Sequence, residues 1–99
     1  MRIARIIGTV TMNRAIAHLV PGRFLLAEAL DYTALAGLDR QVPRSRPMPE
    51  SLVVFDQLGA GYGQIVAVSE GREATMPFWP QQVAIDAYCA AILDEVAVA

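Results

Sequence analysis

The sequence predicts a mainly β protein, a small barrel of five strands with a short helix near the C-terminus. Short runs rich in β-branched and aromatic residues recur along the chain, separated by turns that contain glycine or proline. The clearest turn is Asp56–Gln64, where three glycines fall within five positions between the apolar runs Leu52–Phe55 and Ile65–Val68. The 99 residues are enough for one domain, residues 1–99, and a hydrophobic content of 55% is ample for a single core.

The first two strands precede this turn. Met1–Asn13 is rich in β-branched residues and predicts a long first strand, in which Gly8 indicates a bulge or bend. Arg23–Tyr32 would allow a helix by propensity alone, and its alternating pattern after the turn signal Pro21-Gly22 also suits a strand. We interpret it as a strand partly because the chain resembles a known family of β proteins. Strands three and four then lie on either side of the glycine-rich turn.

The C-terminal part of the sequence is ambiguous between helix and strand. Pro80 can begin a helix and apolar residues recur at helical spacing, whereas residues 89–98 also suit a buried strand. We interpret the segment as a short helix from about Gln81 to Tyr88, followed by a last strand from about Cys89 to Val96. That strand would pair with the first and close the barrel, which removes exposed edges.

The segment Thr75–Pro80 is apolar but interrupted by prolines, which predicts neither a helix nor a central strand. Its aromatic residues Phe78 and Trp79 are expected to pack onto the barrel or into a subunit contact.

The glycine-rich turn itself has two interpretations. It is most often a hairpin corner, but it also offers a surface without side chains that another chain or a pore axis could approach.

The glycines do not indicate nucleotide binding. The dinucleotide fingerprint requires a helix directly after the glycines, and here a strand follows. Composition excludes further classes: the net charge is −2, with eight arginines and no lysine, which is a poor footprint for nucleic acid or an anionic membrane. No signal peptide or apolar stretch of membrane-spanning length is visible, so we expect a cytosolic, soluble protein.

No catalytic, cofactor-binding or metal-binding residues can be nominated. His18 has no second histidine or cysteine nearby, and neighbouring Asp94 and Glu95 on a strand would point to opposite faces. Cys89 is the only cysteine, so no intrachain disulfide can form, and its apolar neighbours favour a buried, inert thiol. We therefore expect no enzyme.

The segment Thr33–Ser51 contains three prolines and three arginines and predicts a long exposed loop. It is either a tolerated insertion or a segment that docks onto a partner. Charge is also uneven, because residues 1–50 carry a net +3 and residues 51–99 a net −5. The two halves either balance within one subunit or meet between copies of a head-to-tail oligomer.

Three segments in order resemble the bacterial microcompartment vertex proteins, the shell pentamers of carboxysomes and of ethanolamine-type metabolosomes. They are the opening Met1–Val10, the glycine-rich Phe55–Gln64, and the closing pair Ala84–Ala87 and Ile92–Val96. Together they cover most of the chain. The sequence departs from the family at Gln64, where glutamate is usual, and at Gly71–Ala74, where serines are usual. Its loop is also longer and more basic.

This resemblance implies a barrel similar to the oligonucleotide-binding (OB) fold, assembled as a cyclic homopentamer that caps shell vertices beside hexameric shell proteins. It would lie in the cytoplasm, in the shell, with no nucleic acid or membrane partner. We expect Arg40, Arg44 and Arg46 to dock onto the shell. The alternative is an OB-like barrel that binds single-stranded nucleic acid or another small ligand. The candidate pore or subunit-interface residues are Gly59, Ala60, Gly61, Gly63 and Gln64, and Ala60→Leu is expected to disrupt the ring while the subunit stays folded.

Overall fold

The computed structural model describes residues 1–11, 22–31, 34–35, 50–80 and 85–97. In these residues five strands form a closed barrel, and a short helix α1 and a 3₁₀ turn join the fourth strand to the fifth. The predicted mainly β, five-stranded barrel is confirmed. The elements are β1 Arg2–Val10, β2 Arg23–Ala29, β3 Ser51–Asp56, β4 Ile65–Glu70, α1 Arg72–Thr75, the 3₁₀ turn Met76–Phe78, and β5 Ala87–Leu93.

The strands are ordered β1-β2-β3-β5-β4, with β4 returning to β1. The predicted pairing of the last strand with the first is wrong, because β5 lies between β3 and β4. The barrel closes instead through antiparallel pairing of β1 with β4, where Ile3 lies opposite Ala67. The connection through α1 returns the chain antiparallel beside β4, whose other edge is already occupied by β1.

The order also corrects the hairpin interpretation of the glycine-rich turn. Strands β3 and β4 are not hydrogen-bonded neighbours, so residues 57–64 cross from one strand to another across an intervening strand. The end of this crossing is fixed to β1, because the N–H of Gly63 donates to the carbonyl of Ile6 at 2.8 Å and the N–H of Ile6 donates to the carbonyl of Gln64 at 2.9 Å. We name residues 57–64 the glycine corner.

Two boundaries near the C-terminus differ from the prediction. Ala87 and Tyr88 belong to β5 rather than to a helix, and β5 ends at Leu93 rather than near Val96, so Asp94 and Glu95 lie beyond the strand. Residues 81–84 lie outside the described residues. The helices that the structure describes come earlier, and Met76–Phe78 forms a 3₁₀ turn where none was expected. Pro77 is compatible with this turn because the first residues of a helix need no N–H donor.

The bulge predicted at Gly8 is confirmed, since the β1–β2 register shifts between Ile6 and Gly8. Residues that point into the barrel form a core of mostly small and β-branched side chains. Phe55, the largest fully buried side chain, lies outside this cluster, because strand neighbours such as Val54 and Phe55 point to opposite faces. Phe55 packs against Phe24 and Phe78, with ring centroids 5.1 and 6.0 Å away. A Cβ on Gly22 would overlap the Phe55 ring, so glycine is required there for space. The core cluster contains Ala4, Ile6, Leu25, Ala27, Val54, Ala60, Val66, Val68, Ala87 and Cys89.

Candidate functional site

The glycine corner is built around the carboxylate of Asp56, the last residue of β3. This side chain is almost fully buried, with the residue 1% exposed. Its Oδ1 accepts the backbone N–H of Leu58 at 3.0 Å, and its Oδ2 accepts those of Gly59 and Ala60 at 3.0 and 2.9 Å. Three consecutive N–H groups therefore converge on one acid, which fixes the direction in which the chain leaves the barrel.

Burial alone would raise the pKa of Asp56, but its hydrogen bonds outweigh burial and hold the pKa below its ordinary value. They come from the N–H groups of Leu58, Ala60 and Gly59 and from the thiol of Cys89. Arg23 adds a cation: its Nη2 lies 3.4 Å from Oδ2 of Asp56 and donates to the carbonyl of Ala60 at 2.7 Å.

Cys89 is buried on the other side of this carboxylate. Burial, followed by the charge of Asp56, raises the pKa of its thiol to about 12. The thiol therefore stays protonated at neutral pH and is a poor nucleophile. This agrees with the buried, inert cysteine predicted from its apolar neighbours.

Two glycines of the corner are explained by their positive φ angles rather than by tight packing inside the subunit. Gly59 and Gly63 have φ of +91° and +84°, and a Cβ on either would meet no atom within 4 Å. Gly61 has no positive φ, and its N–H donates to Oε1 of Gln64 at 2.6 Å. The sequence interpretation attributed these glycines to crowding as well as to the turn. The turn explains Gly59 and Gly63, whereas no contact among the described residues of the subunit requires glycine at Gly61.

Ala60 departs most from its predicted role. Its residue exposure is 0% and it belongs to the hydrophobic core of its own barrel. The small volume at this position is required inside the subunit, so Ala60→Leu would overfill the core and would not leave the subunit unaffected. Gly59, Gly63 and Gln64, by contrast, are exposed.

The corner also presents large apolar side chains to solvent. Tyr62 is 83% exposed and Leu58 is 50% exposed. Beside Tyr62, a groove of about 420 Å³ opens between the corner and the end of β5. The surface around the corner thus combines exposed backbone with exposed apolar groups, as assembly contacts do.

A second cluster lies at the opposite end of β3, just after the proline-rich segment of the sequence. Nη1 and Nη2 of Arg2 donate to the two carboxylate oxygens of Glu50 at 2.6 and 2.7 Å, and Nη1 also contacts Glu70 at 3.3 Å. The bond to Glu50 raises the pKa of the Arg2 guanidinium and lowers that of the Glu50 carboxyl. We name Arg2, Glu50 and Glu70 the arginine clamp.

The entry to the same segment is fixed as well. The side chain of Asp31 accepts the N–H of Ala34 at 2.8 Å, and the N–H of Leu30 donates to the carbonyl of Ile3 at 3.0 Å. Leu30 and Glu50 are therefore both attached near the start of β1. Ala34 and Leu35 are helical and Ala34 is buried, so the exposed loop expected from Thr33 does not begin there, and residues 36–49 lie outside the described residues. The shell-docking candidates Arg40, Arg44 and Arg46, like His18, lie outside the described residues.

Sequence reasoning missed both acid clusters. The signal for Asp56 was present, since an acid directly before a glycine-rich turn can accept its N–H groups. Arg2 and Glu50 are 48 positions apart, and no local pattern connects them. Among the described residues, no three histidine, cysteine, aspartate or glutamate side chains are grouped to hold a metal ion. No helix in this part of the chain has the length and apolar character of a membrane span.

A protein-family model, described as ethanolamine utilisation protein EutN/carboxysome, matches residues 1–94. The carboxysome shell vertex protein CcmL of Gloeobacter violaceus is 29% identical over 98 residues, which cover 99% of this chain and 87% of that protein.

Solved structures give the same result. The GrpN pentameric microcompartment shell protein from Rhodospirillum rubrum superposes with a TM-score of 0.76 at 28% identity, over 100% of both chains. The structure of Gloeobacter violaceus CcmL has a TM-score of 0.79 at 28% identity, over 99% of this chain and 90% of that one. The pentameric shell protein MSM0273 from the RMM microcompartment has a TM-score of 0.72 at 26% identity, over 94% of this chain and 100% of that one.

Proposed function

The chain belongs to the EutN/CcmL family of microcompartment shell proteins, and we propose that it forms homopentamers that close the vertices of a polyhedral shell in the bacterial cytoplasm. The observation that carries this proposal is the match of the family model over residues 1–94. The likeness to pentameric shell proteins over nearly whole chains supports it.

The surface of the subunit is consistent with assembly. Tyr62, Trp79, Met76, Leu58 and Val53 are between 48% and 83% exposed in the single subunit. So many large apolar groups on a small barrel are typical of a protein that buries them against other chains. A ring of identical subunits provides such a partner without any second gene product.

The role that we propose is geometric rather than catalytic. A flat layer of hexameric tiles closes into a polyhedron only where five-fold units introduce curvature. We propose that this protein supplies those points, with no catalytic residue and no cofactor. The exposed parts of Gly59, Gly61, Gly63 and Gln64 are proposed to face the five-fold axis or a neighbouring subunit, with Ala60 supporting the corner from inside the core.

Native mass spectrometry of the purified protein tests the ring directly. We expect a pentamer at micromolar concentration, and deletion of the gene should give elongated or leaky shells whose enclosed enzymes stay active. A stable monomer or dimer would contradict the proposal. Binding of single-stranded nucleic acid in a low-salt gel shift would favour the rival OB-type function, which the net charge of −2 disfavours.

The hexameric tiles are the proposed partners of the long loop. Replacing Arg40, Arg44 and Arg46 together with alanine should weaken co-sedimentation with hexameric shell protein and leave the pentamer intact. The matched control replaces the same three arginines with lysine, which keeps their positive charge. Loss of the pentamer in the triple variant would instead assign the loop to the ring interface.

A further inference from the structure

The groove beside the glycine corner is lined by both apolar and acidic residues. It lies where β4 begins and β5 ends, and its volume is about 420 Å³. Tyr62, Ile65 and Leu93 contribute apolar surface, and Asp94 and Glu95 contribute exposed carboxylates. The groove therefore combines apolar side chains with an acidic border of similar extent.

Among the described residues that line the groove, the single cation does not neutralise this border. Nη1 of Arg5 lies 3.9 Å from Oε1 of Glu28, a buried acid. The charge of Arg5 is thus offset by an acid of its own barrel. Asp94 and Glu95 stay available to a cation that approaches from outside.

A second surface carries the complementary groups. It consists of Arg72 on α1 and Met76 and Trp79 just after it, and we name it the helix corner. Met76 is 53% exposed and Trp79 is 71% exposed. Arg72 is also exposed and is the only basic residue among residues 51–99. Glu73 lies next to it, so the helix corner has no net charge from this pair.

The two surfaces lie at opposite ends of the β4–β5 pair. Ile65 is opposite Leu93 at the groove, and Glu70 is opposite Ala87 where the chain enters and leaves the helix corner. Five residue steps along a strand separate them, which is about 17 Å. A closed ring of identical subunits requires two different surfaces on each subunit that face neighbours on opposite sides.

We infer that the helix corner of one subunit docks into the groove of the next, so that the ring assembles head to tail. This inference rests on the proposed pentamer and identifies the surfaces that hold it together. The Trp79 indole and the Met76 side chain pack in the groove against Tyr62, and Arg72 reaches Asp94 or Glu95. Tryptophan, methionine and arginine are the residue types enriched in the buried centres of interfaces.

The charges set the direction of docking more than its strength. Glu73 beside Arg72 would meet the same acidic border, so the net electrostatic gain is small. The apolar contacts carry the affinity. The interface should therefore persist in high salt, unlike one held by ion pairs.

Trp79 is the only tryptophan in the chain, so its fluorescence reports on the helix corner without any substitution. In the pentamer we expect emission at short wavelength and a quenching constant for acrylamide severalfold below that of the dissociated subunit. Native mass spectrometry of the same sample establishes the assembly state. Tyr62→Arg places a charge in the groove and should raise the subunit dissociation constant about tenfold or more.

Thr9→Arg is the matched control, because Thr9 is an exposed polar residue of β1 that contributes to neither surface. It should assemble like the parent, and far-UV circular dichroism should show both variants folded. A pentamer in which Trp79 is freely quenched would overturn the inference and leave the proposed function standing, as would a Tyr62→Arg variant that assembles normally. Shielding of Trp79 only after hexameric shell protein is added would assign the helix corner to the tiles and overturn it too. Absence of any pentamer would overturn both.

Discussion

The two ends of β3 use the same chemistry in different surroundings. At one end the carboxylate of Asp56 is fully buried, accepts three backbone N–H groups and lies near an arginine. At the other end the side chain of Glu50 is 52% exposed and binds Arg2 through two short hydrogen bonds. Hydrogen bonding lowers the pKa of both acids, yet only Asp56 is removed from water.

This difference in burial decides how much each acid contributes. Water competes for the exposed pair, so a surface ion pair contributes little to the free energy of unfolding even with good geometry. Water does not reach a buried acceptor such as the Asp56 carboxylate. If that carboxylate is removed, the N–H groups that it accepted are therefore left without a partner. The glycine corner is thus held by a buried acceptor, whereas the arginine clamp is an exposed ion pair between the starts of β1 and β3.

The largest expected effect follows from Asp56→Ala, which leaves the N–H groups of the corner without their acceptor. We expect the free energy of unfolding to fall by about 3 kcal/mol. Urea denaturation at fixed protein concentration measures it, because assembly makes stability depend on concentration. Glu50→Ala is the matched control at the opposite end and should change the urea midpoint far less. Equal losses from the two variants would refute the comparison.

The next effect concerns Ala60, where the corner meets the core. Ala60→Leu adds volume to a fully buried position and should destabilise the subunit by about 2 kcal/mol. Ala90→Leu provides the control, since Ala90 is an exposed residue of β5. Thermal unfolding followed by circular dichroism compares them. If Ala60→Leu melted like the parent and only failed to assemble, the volume limit would lie between subunits.

Ala60 shows what a sequence can and cannot predict. An alanine between glycines correctly indicated that space is limited. It could not indicate on which side of the chain the space is limited, because that depends on whether the side chain points into its own barrel or towards a neighbour. The fold, by contrast, was predictable strand by strand, since β-branched runs bounded by glycine specify strands locally.

Strand order could not be predicted in the same way. The position of β5 between β3 and β4 depends on the route of the connection through α1, and periodicity carries no information on that route. The role of Asp56 had a local signal, the glycine-rich turn that follows it. The arginine clamp had none, since it joins residues that are distant in sequence and adjacent only in the closed barrel.

A smaller effect separates torsion from volume within the corner. Gly59→Ala places a side chain at φ +91° but into open space, so only the backbone strain of about 1 kcal/mol is expected. Gly61→Ala has no positive φ, and its Cβ would meet only Oε1 of Gln64 at 3.7 Å, so the subunit should unfold as before. Urea denaturation of the two variants side by side measures the difference. A Gly61→Ala loss as large as that of Gly59→Ala would show crowding that one subunit does not contain.

The smallest effect is a change in acid sensitivity, and it again distinguishes the two ends of β3. The folded-state pKa of Asp56 lies below its value in the unfolded chain, so ionised Asp56 stabilises the fold above about pH 4. That contribution is lost as the pH falls through the lowered folded-state pKa. Glu50 has the same sign, but the exposed pair should contribute little at any pH.

Urea midpoints measured from pH 6 to pH 2 test this expectation. The parent should lose stability steeply below about pH 4. Asp56→Asn, which starts less stable and has no charge to lose, should fall less steeply over the same range. Glu50→Gln should follow the parent curve, because the buried carboxylate of Asp56 is still present. A Glu50→Gln profile as flat as that of Asp56→Asn would mean that the exposed arginine clamp, and not the buried carboxylate, limits stability in acid.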